Sequence, residues 1–275
     1  MKPYQNRIVV KVGTSTLTNE LGKSDLRCFD RLACVLSDIQ NMGYEVILVS
    51  SGAIAVGRNK LKMKTQPTSM RHKQAAAAVG QCSIMFLYDK FFGDYDKTIG
   101  QILLNAEDIE QEEKKDNLIN TFDALLEMGV IPIVNENDTI STDEIEFGDN
   151  DTLSALVAAL TGADMLILLS DIDGLFTDDP NQNPNAEFID LVEKLDSHLD
   201  AMAKDTSKSS VGTGGMATKL KAAHIATSAG ADMVIANGSD FHVIHKIMQG
   251  RNYGTLFLAD KKEAFYLDDI IDKLG

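Results

Sequence analysis

Hydrophobic and polar positions along this chain fall into two alternating rhythms. Solid apolar or β-rich runs occur at Ile8–Val12, Glu45–Val49, Thr98–Leu104, Ile131–Val134, Met165–Leu169 and Met233–Ala236. Runs of this length read as strands, and unbroken apolarity predicts a parallel sheet covered on both faces. Between them, apolar residues recur at helical spacing over Ser24–Met42, Met70–Phe92, Lys114–Met128, Asn150–Leu160, Met216–Ala229 and Asp240–Gln249. Many of these stretches close at a glycine suited to a left-handed cap: Gly43, Gly93, Gly129, Gly162, Gly230 and Gly250. Alternating strands and helices predict an α/β fold with right-handed crossovers.

Two segments break the rhythm. Asn135–Asn150 is polar and acidic, with β-branched alternation near Ile140–Phe147 that predicts a small hairpin. Thr177–Asn185 is rich in Asp, Asn and Pro and reads as loop. Long irregular segments in compact domains are often functional. The apolar pattern otherwise runs on without repeat or linker, so one domain with two lobes is expected.

Composition narrows the setting. The chain has 275 residues, 44% of them hydrophobic, enough for a sizeable core. A net charge of −15 repels phosphate backbones and argues against non-specific nucleic-acid binding. An acidic protein that takes an anionic ligand must also gather its few useful cations at one place. Cys28, Cys34 and Cys82 form no CxxC pair, which fits a reducing cytoplasm, and Cys28 and Cys34 fall in an apolar helical pattern as expected core residues. The N-terminus is short and polar, unlike a signal peptide, and the apolar runs are too short to span a bilayer. A soluble cytoplasmic protein is expected.

Candidate chemistry clusters where strands end. Lys11 stands just before Gly13 at the carboxyl end of the first strand, where α/β sheets bind ligands and a glycine lets backbone approach an anion; a solvent lysine on an ordinary turn is the plain alternative. Ser51 and Gly52 lead from the second strand into a helix start, which attracts a carboxylate or phosphate, although a serine N-cap explains them equally well. Asn135 to Asp138 follow the fourth strand, and Asp149, Asn150 and Asp151 open the next helix. Clustered carboxylate and amide oxygens suit an ammonium group. Calcium competes, but the EF-hand spacing is incomplete. Ser170, Asp171 and Phe176 follow the fifth strand and could line a nucleotide pocket; a βα loop with a buried aromatic is the simpler account.

Gly212 to Lys219 reads GTGGMATK and opens a helix, so the backbone amides of Thr213, Gly214 and Gly215 and the side chain of Lys219 can converge on phosphates. No glycine directly precedes the lysine, so this is no Walker A loop. It matches G-x-G-x-x-A, the mark of a dinucleotide oxidoreductase, but Lys204–Ser210 upstream is polar and offers no strand to feed the turn. His242 and His245 share a helix face without a visible partner acid and read as surface.

Taken together, VVKVGTS (Val9–Ser15), VSSGAI (Val49–Ile54), VGQ (Val79–Gln81), NEND (Asn135–Asp138), FGDND (Phe147–Asp151), LSDIDGL (Leu169–Leu175), GTGGMATK (Gly212–Lys219) and GTLF (Gly254–Phe257) resemble the amino acid kinase family. NEND followed by GDND and GTGGM-x-TK resembles the branch that phosphorylates the side-chain carboxylate of L-glutamate. The resemblance implies a three-layer αβα sandwich with a central, mainly parallel sheet. Residues 1–260 would form the kinase domain, its N-terminal lobe binding glutamate and its C-terminal lobe, from about residue 165, binding ATP.

On the same ground, Lys11, Gly13, Ser170, Asp171, Phe176 and the loop Thr213, Gly214, Gly215, Met216, Ala217, Thr218 and Lys219 would contact ATP. Ser51, Asp138 and Asn150 would hold glutamate, with Gly52, Asn135 and Asp149 beside them, and Asp151 would orient Lys11 and Lys219. Mg²⁺ would accompany ATP. A homo-oligomer, feedback inhibition by proline and a role in proline synthesis are also implied. Only a short tail, 261–275, follows, so the PUA domain of many relatives is expected to be absent. Ser170 and Ala217 stand where threonine and serine are common in the family. A kinase of the same fold acting on another amino acid is the nearest alternative.

Overall fold

The computed structural model describes residues 7–19, 23–140, 149–178, 183–196, 199 and 215–262. All six expected strands are present to within two residues at each end: β1 (Arg7–Val12), β2 (Glu45–Ser50), β3 (Ile99–Leu104), β4 (Ile131–Glu136), β5 (Met165–Ser170) and β9 (Asp232–Asn237). Three shorter strands were not foreseen: β6 (Leu175–Phe176), β7 (Phe188–Ile189) and β8 (Leu191–Val192). Nor was β10 (Thr255–Phe257).

The main sheet runs β3-β4-β2-β1-β5-β9-β10-β8, and β6 pairs with β7 in a separate antiparallel ribbon. Every pairing in the main sheet is parallel except β9 with β10. Of the expected loop Thr177–Asn185, the described residues 177, 178 and 183–185 lie between β6 and β7.

The helices, among the described residues, are α1 (Thr14–Leu17), α2 (Leu26–Asn41), α3 (Ala53–Lys60), α4 (Met70–Gly93), α5 (Ala106–Glu110), α6 (Glu112–Glu127), α7 (Asn150–Thr161), α8 (Met216–Ala229) and α9 (Val243–Met248). Strand side chains alternate between two cores. Val9, Ile47, Val49, Leu166 and Leu168 pack toward α6, α7 and α8, whereas Ile8, Val10, Val12, Leu48 and Ile167 pack toward α2, α4 and α9. Two buried faces explain why these strands read as solid apolar runs, and they make the three-layer sandwich.

Local chemistry sets several boundaries. Asp25 accepts from the backbone N–H groups of Arg27 and Cys28, so α2 begins after it rather than at Ser24. Gly93 does not form the expected left-handed cap; it is the last residue of α4, and the left-handed residue is Asp96 (φ 57°). Cys28 is half-buried and Cys34 exposed, which corrects the expectation that both lie in the core. The hairpin expected near Ile140–Phe147 falls, from residue 141, outside the described residues. Among the described residues no helix is long and apolar enough to cross a membrane.

One helix pair is closer than side chains allow. A Cβ on Gly57 of α3 would lie 1.7 Å from the Ala76 carbonyl oxygen of α4, and one on Gly80 would lie 1.7 Å from that of Ala53. Two glycines thus bring the backbones of α3 and α4 into direct contact.

Candidate active site

β1 has β2 on one side and β5 on the other, so the sheet changes direction there. In such sheets the crevice outside the carboxyl ends of the strands is the usual binding place. Lys11, next to last in β1, points to the face opposite Val10 and Val12, the face covered by α7 and α8. That alternation is why a lysine belongs in an otherwise apolar strand.

Its partner is Asp151, in the first turn of α7 and only 1% exposed. Lys11 Nζ lies 2.5 Å from Asp151 Oδ1, and Lys219 Nζ, from the first turn of α8, lies 3.0 Å from Oδ2. Both lysines are buried. Thr218 Oγ1 donates to the Gly215 carbonyl at 2.7 Å and stands 3.3 Å from Asp151 Oδ2. Burial pushes the Asp151 carboxyl up, but the two ammonium charges and their hydrogen bonds outweigh it and hold the group below its ordinary value. The trio therefore carries one surplus positive charge where three chain segments meet.

A second cluster adjoins the first. Asn150 Nδ2 lies 2.9 Å from the Ser50 carbonyl, 2.8 Å from Ser51 Oγ and 2.9 Å from Asn135 Oδ1, three acceptors that share its two hydrogens. Asn135 Nδ2 in turn donates to Gln81 Oε1 at 3.0 Å. The ends of β2 and β4 and the start of α7 are thereby joined through one amide. Gly52 has φ +99°, a left-handed turn that favours glycine and starts α3 without a side-chain cap. Asp149 caps α7, accepting from Thr152 N at 2.7 Å and Thr152 Oγ1 at 3.1 Å, and burial pushes its carboxyl above the ordinary value. Asp138 is half-buried just beyond β4.

The remaining candidates lie around the other side of β1. Ser170 ends β5, and its hydroxyl donates to Asp171 Oδ1 at 3.1 Å. Phe176 stacks edge-on against Phe188 across the β6–β7 ribbon. Gly13 has φ −81°, which any residue can adopt, and a Cβ there would sit 3.8 Å from Lys11 Nζ, an ordinary contact, so neither strain nor a clash requires the glycine. Gly215 precedes α8; among the described residues nothing caps the helix by a side chain or stands within 4 Å of where a Cβ on Gly215 would be, and Met216 and Ala217 follow in the first turn. Thr213 and Gly214 lie outside the described residues.

Two residues of this region carried no expected role. Gln81 stood inside a family mark, VGQ, but nothing in its residue type pointed to Asn135. Tyr88, buried, shares a 2.8 Å hydrogen bond with Ser50 Oγ. Both sit mid-helix in α4, where an isolated polar residue gives little signal.

No three His, Cys, Asp or Glu side chains gather at metal-binding range among the described residues, so these residues form no protein cage for Mg²⁺. Among the described residues, the two lysines held on Asp151 and the start of α8, which has no side-chain cap, fit a polyphosphate.

The amino acid kinase family pattern matches residues 6–237. Among similar proteins, the glutamate 5-kinase of Clostridium perfringens (strain 13 / Type A) is 52% identical over 261 residues, spanning 94% of this chain and 97% of that one. The glutamate 5-kinase of Clostridium tetani (strain Massachusetts / E88) is likewise 52% identical over 261 residues, spanning 95% and 97%. The carbamate kinase from Giardia lamblia bound to AMP-PNP has a TM-score of 0.65 at 16% identity, covering 94% of this chain and all of that one, a likeness of fold. Half-identity maintained from end to end, on a matching sheet architecture, leads to one conclusion: this chain belongs to the amino acid kinase family, alongside its glutamate 5-kinases.

Proposed function

We propose that this chain transfers the γ-phosphoryl group of ATP to the side-chain carboxylate of L-glutamate, giving L-glutamyl 5-phosphate for proline biosynthesis. The observation that carries the reading is Asp151 holding Lys11 and Lys219 on its two oxygens at the sheet's switch point. A carboxylate acceptor has a reference pKa of about 4.3 and is already ionised at neutral pH, so it needs no general base. The difficulty is to bring two anions together and to steady the charge that builds on the migrating group. Phosphoryl transfer is catalysed mainly by positioning and electrostatics.

In this reading a glutamate oxygen forms a bond to the γ-phosphorus as the bond from that phosphorus to the bridging β,γ-oxygen breaks, releasing ADP. Lys11 and Lys219 flank the transferring group, and Asp151 sets their positions without taking a proton. Ser51, Gly52, Asn135, Asp138, Asp149 and Asn150 hold glutamate in the N-terminal lobe. Lys11, Gly13, Ser170, Asp171, Phe176 and the segment Thr213–Lys219 hold ATP, mostly in the lobe that begins near residue 165, within a kinase domain spanning 1–260. Mg²⁺, if it accompanies the nucleotide, would add positive charge to that of Lys11 and Lys219.

The same reading places the enzyme in the cytoplasm as a homo-oligomer. It also makes proline a feedback inhibitor, since proline shares with glutamate the α-carboxylate and the adjoining cationic nitrogen.

The test is ATP turnover with glutamate in the presence of hydroxylamine, which traps an acyl phosphate as its hydroxamate. Glutamyl hydroxamate formed in step with ADP is expected. No hydroxamate, or faster turnover with aspartate, acetylglutamate, carbamate or UMP, would overturn the assignment.

A further inference from the structure

We propose that Gln81 is a positioning residue for the acceptor site: it fixes the Asn135 amide and, through it, Asn150. This rests on the reading that Asn135 and Asn150 hold glutamate. The reasoning begins at a group whose polarity is not in question. The Ser50 backbone carbonyl can only accept, so the Asn150 side chain must present its amino group to it. That same amino group faces Asn135, which must answer with its oxygen. Asn135 is then left pointing its own amino group at residue 81, where the Gln81 oxygen accepts. One backbone carbonyl therefore sets the direction of three successive amides.

The arrangement has no tolerable inversion. Turning Asn135 over would set its amino group against that of Asn150, two donors face to face. Asn135 and Gln81 are both buried, so water is a poor substitute for a lost partner. An acceptor at position 81 is thus needed to keep Asn135 oriented.

The helix that supplies it is held in place. Gly80, next in the chain, is locked against Ala53 by the backbone contact between α4 and α3. Tyr88, two helical turns further on and so on the same face, reaches Ser50 at the end of β2. α4 therefore grips the ends of β4 and β2 from one side, and Gln81 is the grip on β4.

The test uses Gln81→Met, which keeps the unbranched length and removes the acceptor. The glutamate KM is expected to rise about tenfold, equivalent to ~1.4 kcal/mol, with the ATP KM changed less than about twofold. Because Gln81 acts through Asn135, adding Gln81→Met to Asn135→Ala should shift the glutamate KM no further. Should Gln81→Met fail to fold, Gln81→Ala, which also removes the acceptor, serves in its place with the same rise expected, and Gln81→Glu, whose carboxylate still accepts from Asn135, should keep its glutamate KM within about threefold of wild type. An unchanged glutamate KM in Gln81→Met, an equal rise in both KM values, additivity with Asn135→Ala, or a Gln81→Glu glutamate KM well beyond threefold would overturn the role of Gln81 alone. A wild-type protein with no glutamate-dependent turnover would overturn the activity itself, and this inference with it.

Discussion

Replacing Asp151 by Asn removes one charge and almost no volume, which makes it a direct probe of the site. In the native protein one carboxylate, 1% exposed, holds two buried ammonium groups, one on each oxygen. The amide cannot do the same: its amino end meets one of the two lysines donor to donor. Removing one partner of a buried ion pair costs about 3–5 kcal/mol, a large part of the roughly 5–15 kcal/mol that holds a domain folded. For a chain of this size that predicts a melting temperature lower by roughly 10 °C. Turnover should fall by about 10²–10³, the usual loss when a preorganised charge in such a site is misplaced.

A third readout distinguishes this cause from general damage. With Asp151 neutral, the two lysines present a larger net positive charge to an incoming anion. A nucleoside triphosphate should therefore raise the melting temperature of the variant more than that of the wild type. Titration gives the same carboxylate a sign: its folded-state value lies below the ordinary 3.8, so its contribution is present above that pH and is lost as acid protonates it in the native state. A variant that melts within 2 °C of wild type, as judged against the shift estimated above, and retains normal turnover would refute the clamp.

Asp149 behaves in the opposite sense. Its folded-state value is raised above 3.8 by burial, so the neutral form is favoured in the native protein, and stability is lost as pH rises through that raised value. Because Asn caps a helix about as well as Asp, Asp149→Asn should melt higher than wild type at pH 7, with the gain vanishing below about pH 4. A thermal melt series across pH checks both points. Gly80→Ala tests the contact of α3 with α4: alanine is normally worth about 1 kcal/mol in a helix interior, yet here it should destabilise by about 1–3 kcal/mol, read as a lower denaturant midpoint.

How much of this was legible beforehand depended on length and on sequence distance. The six long strands announced themselves because both faces are buried, and α8 was delimited to the residue by Gly215 and Gly230. β8 and β10 have two and three residues, too few for any period to register, and they exist because they pair with each other and with β9. The carboxyl edge of the sheet told which residue types to suspect, since Lys11, Ser51, Asn135 and Ser170 all stand at or beside strand ends. Which of them meet was another matter. Asp151 joins Lys11 and Lys219 only because α7, which lies over β1, packs against α8. Gln81 lay hidden in a helix among alanines and valine, where its contact with Asn135 depends on the close approach of α3.

The central place of β1 has a consequence for the growing chain. Its Ile8–Val12 run is made first, and β2 can join it early, but the other flank is closed only by β5. At the usual synthesis rate the delay is on the order of 10–30 s. For that time the nascent protein carries an apolar strand with one row of backbone groups unpaired, the kind of surface on which chains adhere to one another. Release from the ribosome before Met165–Ser170 has docked would leave that edge open, so the unfinished chain is expected to aggregate more readily than the finished one.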